Sequence, residues 1–136
     1  MIYNEIQKLD LSSYNVLAVD DVPINLVLVE KMLGKFNFRL RKAANGALAM
    51  EEIEKEKPDL VLLDLMMPVM DGFEVLSRIR NNPETADIRV VILSALNSND
   101  DIVRGYQLGA NDFITKPIVL EKLVSCVATQ LKLSRK

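Results

Sequence analysis

Runs of consecutive apolar residues alternate along the chain with segments in which apolar residues recur every three or four positions. The second run differs from the others, because Phe38 and Leu40 alternate with arginines, as is typical of a half-exposed edge strand. Continuous apolar runs instead favour parallel strands that are buried on both faces. Five strands are predicted, each bounded by turn or helix-start residues: Asn15 to Asp20, Phe38 to Ala43, Asp59 to Asp64, Arg89 to Ser94 and Asn111 to Thr115.

Helical periodicity follows each of these strands. The fourth helical segment has few apolar positions, so we expect it to be the least firmly packed. A strand–helix unit repeated five times predicts an α/β fold: a doubly wound parallel five-stranded sheet with right-handed crossovers. Five helices are predicted: the first from after Pro23 to near Gly34, the second from about Gly46 to Lys57, the third from about Gly72 to Asn81, the fourth from after Ser98 to Gly109, and the fifth from Leu120 through Leu131.

Composition removes several kinds of chemistry. The 136 residues carry 17 basic and 19 acidic side chains, and a pI near 5.2 without a basic stretch argues against direct nucleic-acid binding. One cysteine, Cys126, and no histidine exclude a zinc site, a histidine-based triad and phosphorylation of the chain's own histidine. Cys126 lies in the apolar stripe of the last helix and is expected to be a packing residue. No apolar run reaches the ~18 residues of a membrane span, so we expect a cytoplasmic protein without membrane contact.

Polar side chains follow four of the predicted strands. Asp20 and Asp21 follow the first, Asp64 ends the third, Ser94 ends the fourth and Lys116 follows the fifth. The carboxyl ends of parallel strands share one edge, where ligands of open α/β sheets bind. Taken singly, these residues have structural explanations: a helix cap, a strand end, a loop hydroxyl and a solvated cation. Their recurrence at one edge favours a functional site.

Three neighbouring carboxylates repel one another unless a cation compensates them. An oxygen-only ligand set favours Mg²⁺. With that compensation an aspartate can attack a phosphoryl group and become an acyl phosphate, while Lys116 balances the charge and Ser94 donates a hydrogen bond.

Four motifs in order resemble the CheY-like receiver domain of two-component response regulators. They are VDD at 19–21, LLDLMMPVMDG at 62–72, LSA at 93–95 and GANDFITKP at 109–117. The resemblance implies a flavodoxin-like (βα)5 fold with strand order 2-1-3-4-5. It also implies a receiver domain at 14–136 after an N-terminal extension at 1–13.

The family assigns a role to each matching position. Asp64 becomes the phosphoacceptor, and Lys116 the lysine that contacts the phosphoryl group. Asp20, Asp21, Asp64 and the backbone carbonyl of Met66 are implied as ligands of Mg²⁺. The switch residues are Ser94, which moves toward the phosphoryl group, and Phe113, which then turns inward. The resemblance also implies a cis Lys116-Pro117 bond, whereas the ordinary X-Pro preference favours trans.

The family also implies partners. With no histidine of its own, the chain must receive the phosphoryl group from a sensor histidine kinase or a histidine phosphotransfer protein. Output then passes to a downstream protein through the surface of the fourth helix, fifth strand and fifth helix, in a monomer or a phosphorylation-dependent dimer. Such a chain is a phosphoacceptor signalling domain that takes part in its own phosphorylation and dephosphorylation, not an enzyme. Met66 and Leu96 flank the acceptor without a group that orients water, so we expect slow self-dephosphorylation.

Several alternatives stay open. The spacing of Ile2, Ile6 and Leu9 is helical, so residues 1–13 form either a packed docking helix or part of a linker. In the second case the chain would be a receiver domain cut from a longer protein such as a hybrid histidine kinase. A flavodoxin-like cofactor binder has the same sheet, but the loop DDVPIN at 20–25 lacks the glycine and hydroxyl residues of a phosphate cradle. A phosphohydrolase requires a second aspartate where Met66 stands. A pseudo-receiver scaffold would lack some of the expected site residues.

Overall fold

A five-stranded parallel sheet forms the centre of the molecule, in a computed structural model that describes residues 10–135. The strand order is β2-β1-β3-β4-β5, and every neighbouring pair is parallel. The predicted fold class and strand order are therefore confirmed. The strands are β1 (Asn15–Val19), β2 (Arg39–Ala43), β3 (Leu60–Leu63), β4 (Arg89–Ser94) and β5 (Asp112–Thr115).

Helices cover both faces of this sheet. The first and last pack on one face with the buried cluster that contains Val16 and Leu62, and the other three pack on the opposite face with the cluster that contains Leu17 and Val61. Successive residues of a strand point to opposite faces, so each apolar run supplies both clusters. The helices are α1 (Pro23–Met32), α2 (Gly46–Lys55), α3 (Gly72–Asn81), α4 (Asn99–Gln107) and α5 (Leu120–Ser134).

The element boundaries agree closely with the pattern of the sequence. Most strands are one or two residues shorter than predicted, and α2 ends at Lys55 rather than Lys57 because Glu56 has left the helical backbone conformation. β2 is an edge strand with an exposed Arg39, as expected. In α4 the one fully buried residue is Gly105, so the helix is sparsely packed, as expected. It is not the least packed helix, because α1 also has one fully buried residue, Val29.

Most of the predicted extension at residues 1–13 lies outside the described residues, including the proposed docking helix with Ile2, Ile6 and Leu9. Its described end contacts the domain. Leu11 is buried, and its amide donates to Asn37 Oδ1 at 2.8 Å. Between residues 10 and 135, no helix combines the length and the apolar character that crossing a bilayer requires.

Candidate functional site

Three carboxylates meet beyond the carboxyl ends of β1 and β3. Asp20, Asp21 and Asp64 each offer one oxygen, and these oxygens lie within 4.8 Å of one another. Asp20 and Asp64 are buried and Asp21 is half-buried. The pairing of β1 with β3 explains the arrangement, because Val19 lies beside Leu63 and the next residue of each strand is an aspartate.

Lys116 reaches this cluster from the end of β5. Its ammonium Nζ lies 3.0 Å from Asp20 Oδ2 and 3.7 Å from Asp64 Oδ1. The lysine side chain is only 21% exposed, so the ion pairs are shielded from water. Lys116 is therefore not a solvated surface cation. The Lys116-Pro117 peptide bond is cis, as the resemblance implied.

Burial sets the electrostatics of Asp64. It raises the pKa of the Asp64 carboxyl above its ordinary value, the charge of Lys116 opposes this rise, and the charge of Asp20 adds to it. Backbone amides of Met66 and Leu65 donate to the carboxylate and also favour its charged form. The charge of Asp64 is thus costly, and added positive charge at the site would stabilise it.

Ser94 ends β4 on the other side of the cluster and is fully buried. Its Oγ accepts from the amide of Leu96 at 3.1 Å, and its carbonyl accepts from the amide of Lys116 at 2.8 Å. The hydroxyl retains its own proton for donation to a further group. Met66 lies in the loop after β3 and is 55% exposed.

Phe113 lies inside the molecule in this structure, with 8% of its surface exposed. A Cβ placed on Gly105 of α4 would come 3.2 Å from its ring, so the ring packs directly beneath the helix backbone. Phe113 therefore already lies inward in this structure.

The sequence pattern did not indicate the backbone roles of two residues after Asp64, Gly72 at the start of α3 and Val69 in the loop before it. A Cβ on Gly72 would lie 2.3 Å from the Asp64 carbonyl oxygen, so only glycine lets α3 begin this close to the acceptor. Val69 has φ of +69° and is fully exposed. The motif LLDLMMPVMDG contains both residues, but its spacing does not report backbone angles.

The helix-cap explanation for Asp21 fails. The N-cap of α1 is Val22, which makes no side-chain cap, and Pro23 follows as the first helical residue. Asp20, not Asp21, accepts the Val22 amide, at 2.9 Å. Asp21 instead contributes one oxygen of a half-buried carboxylate to the cluster.

The donor set fits a hard cation. Three carboxylate oxygens are available without cysteine or histidine, which matches the oxygen ligands that Mg²⁺ prefers. The buried Asp20 and Asp64 are partly compensated by one lysine, which leaves net negative charge to attract the ion.

The match to known proteins agrees with this geometry. A family model described as the response regulator receiver domain matches residues 16–128. Protein PilH of Pseudomonas aeruginosa is 35% identical over 112 residues, covering 82% of this chain and 93% of PilH. The crystal structure of Vibrio cholerae chemotaxis protein CheY4 superposes with a TM-score of 0.79 at 28% identity, covering 85% of this chain and 97% of that one.

Other relatives are longer. Response regulator PleD of Caulobacter vibrioides is 40% identical over 106 residues, which are 78% of this chain but 23% of PleD. The chain thus spans about a quarter of the length of that relative.

Proposed function

This chain belongs to the response regulator receiver domain family, and on that premise we propose that Asp64 accepts a phosphoryl group from the phosphohistidine of a sensor histidine kinase or a histidine phosphotransfer protein in the cytoplasm. The observation that carries the proposal is the placement of Asp20, Asp21 and Lys116 around the buried Asp64. Structural aspartates at strand ends have no need of this costly arrangement.

In the proposed reaction an Asp64 carboxylate oxygen attacks phosphorus. The nitrogen–phosphorus bond of the donor breaks, an oxygen–phosphorus bond to Asp64 forms, and the departing imidazole takes up a proton from solvent. Asp20, Asp21, Asp64 and the backbone carbonyl of Met66 would hold Mg²⁺, which when bound neutralises phosphoryl charge as a Lewis acid. Lys116, already 3.7 Å from Asp64 Oδ1, balances charge on another side. The Ser94 hydroxyl donates a hydrogen bond to a phosphoryl oxygen.

The donor must be another molecule because the chain has no histidine. An apolar groove between α1 and the loop before α5 opens at the site, and its lining includes Leu28, Met32 and Ile118 together with Asp20 and Lys116. Exposed Ile24 extends the apolar surface of α1. We propose that the phosphodonor protein docks here, which brings its phosphohistidine to Asp64.

Phosphorylation adds about −1.5 to −2 charge beside Lys116 and Ser94. We propose that this change moves α4, with Ser94 and Phe113 as switch residues, and that a downstream protein reads the surface of α4, β5 and α5. Phe113→Ala should then accept phosphate but lose the response of the partner. Transmission as strong as that of the parent would show that Phe113 only fills the core.

The phosphoacceptor is tested by incubating the protein with acetyl phosphate and Mg²⁺ and measuring its intact mass. The parent should gain one phosphoryl group, and omission of Mg²⁺ should prevent the gain. Asp64→Asn should gain nothing, while Asp100→Asn, which changes an exposed carboxylate of α4, should behave as the parent does. Equal modification of the Asp64→Asn variant would overturn the assignment.

A further inference from the structure

One carboxylate joins three elements on the surface formed by α4, β5 and α5. Asp112 Oδ1 accepts the hydroxyl of Tyr106 from α4 at 3.3 Å and the amide of Phe113 at 2.8 Å. Asp112 Oδ2 accepts the thiol of Cys126 from α5 at 3.2 Å. We refer to Tyr106, Asp112 and Cys126 as the Asp112 network.

In the part of the chain that the structure describes, this network is one of few attachments of α4. Gly105 is the buried residue of the helix and lies over Phe113, while Ile102 and Leu108 are partly buried. Arg104 stacks on Phe73 with its guanidinium carbon 4.0 Å from the ring centre. The hydrogen bond from Tyr106 to Asp112 adds a polar attachment of α4 to β5 beside these contacts.

The network is also connected to the switch residue. Tyr106 and the amide of Phe113 donate to the same oxygen of Asp112. Movement of α4 away from β5 therefore breaks the Tyr106 bond and changes the contacts of the adjacent Phe113. On the other side, Cys126 is buried and its thiol proton stays bound to Asp112.

We propose that Asp112 is a positioning residue whose hydrogen bonds hold α4 against β5 and α5, an arrangement called the brace below, and that phosphorylation of Asp64 is coupled to release of Tyr106 from it. The coupling rests on the proposed function of Asp64, whereas the brace itself does not. A conformational change needs an element with two arrangements. Within residues 10–135 this is the one side-chain hydrogen bond from α4 to β5, so α4 is suited to that role.

Cys126 provides a direct readout of the brace. It is the single cysteine of the chain, so the thiol reagent 5,5′-dithiobis(2-nitrobenzoate) reports one position. Because the thiol is buried and hydrogen-bonded, labelling requires local opening, and its rate follows the opening equilibrium. The Tyr106 bond to the Asp112 carboxylate is long and exposed, so its loss should raise that equilibrium by about 2- to 12-fold.

The first experiment compares Tyr106→Phe with the parent at one pH. The variant removes only the exposed hydroxyl, so it retains the fold, and Cys126 should be labelled about threefold faster or more. Tyr14→Phe is the matched control, because it removes a hydroxyl beside Arg135, away from this network, and its labelling rate should equal that of the parent. An unchanged rate in Tyr106→Phe would overturn the brace.

The second experiment tests the coupling with beryllofluoride and Mg²⁺, which mimic the phosphoryl group. Saturating beryllofluoride should accelerate labelling of Cys126 in the parent. By linkage, Tyr106→Phe should bind beryllofluoride more tightly by up to the factor seen in labelling, measured by calorimetry. If Tyr106 had only a structural role, Tyr106→Phe would change the stability of the protein but would not bind beryllofluoride more tightly.

The outcomes separate the two proposals. Faster labelling of Tyr106→Phe with unchanged beryllofluoride affinity would overturn the coupling and leave Asp64 as the acceptor. Failure of parent and variant alike to bind beryllofluoride would overturn the proposed function together with the coupling, and the labelling rates without beryllofluoride would still decide the brace.

Discussion

The ammonium of Lys116 lies closer to Asp20 than to Asp64, at 3.0 Å from Asp20 Oδ2 and 3.7 Å from Asp64 Oδ1. One lysine thus compensates two buried carboxylates of a three-carboxylate cluster. A divalent cation held by those carboxylates would share them with the lysine, and the two positive charges would repel each other.

We therefore predict opposite effects of Lys116→Met on binding and on chemistry. Removal of the neighbouring positive charge should strengthen Mg²⁺ binding by about fivefold, as measured by isothermal titration calorimetry. Phosphorylation by acetyl phosphate should slow by about tenfold or more, because the variant cannot balance phosphoryl charge. Lys132→Met, on the exposed surface of α5, should change neither quantity. Unchanged Mg²⁺ affinity in Lys116→Met would show that lysine and metal do not compete.

The lifetime of the acyl phosphate should depend on the side chain at position 66. Met66 is 55% exposed beside the acceptor, and neither it nor the partly buried Leu96 has a group that orients an attacking water. We expect the parent to lose its phosphoryl group slowly, and Met66→Asn, whose amide can position water, to lose it about tenfold faster. Loss is followed by intact mass after removal of the donor.

The matched control for this prediction is Leu48→Asn, which places the same amide on the exposed surface of α2. Its acyl phosphate should last as long as that of the parent. A parent lifetime of only seconds would contradict the assignment of Met66 and Leu96 as residues that leave water unoriented.

Much of this fold and site can be predicted from the sequence because both depend on local patterns. The apolar run Leu60–Leu63 indicates a buried parallel strand, and parallel strands place their carboxyl ends at one edge. That rule alone brings Asp20, Asp64 and Lys116 together. The sparse apolar positions of α4 likewise predict its weak packing.

The missed features depend on contacts between distant parts of the chain. Lys116 and Asp20 are 96 residues apart, and no local pattern tells which carboxylate the ammonium approaches more closely. The bonds of Asp112 to Tyr106 and Cys126 likewise depend on how α4 and α5 lie against β5. The backbone angles in the loop after β3 depend on how that loop closes, so the residue type of Val69 does not predict its positive φ.

Val69 stores strain that glycine would relieve. It lies at φ +69°, where a β-branched residue is an outlier, and the Met70 amide donates to the Pro68 carbonyl across it at 2.8 Å, which is a strained γ-turn. Relief of this strain should exceed the cost of the greater freedom of glycine in the unfolded chain. Val69→Gly should therefore raise the free energy of unfolding by up to about 1 kcal/mol, measured by urea denaturation. Val27→Gly, at an exposed position within α1, should lower it. A loss of stability in Val69→Gly would show that the loop does not hold this strain.

The ionisation of Cys126 should reduce stability in alkaline solution. Burial, with the hydrogen bond to Asp112 and its charge, raises the pKa of the Cys126 thiol from 9.0 to about 12. Between these values the unfolded chain has released the thiol proton and the folded protein retains it. The free energy of unfolding should therefore fall with rising pH by about 1.4 kcal/mol per pH unit from this group alone.

The measurement is the difference between parent and Cys126→Ala in urea denaturation at pH 8 and at about pH 10.5. This difference cancels the titration of the lysines and tyrosines that both proteins share. The parent should lose more stability than the variant over this interval, and equal losses would show that the folded thiol ionises as readily as the unfolded one.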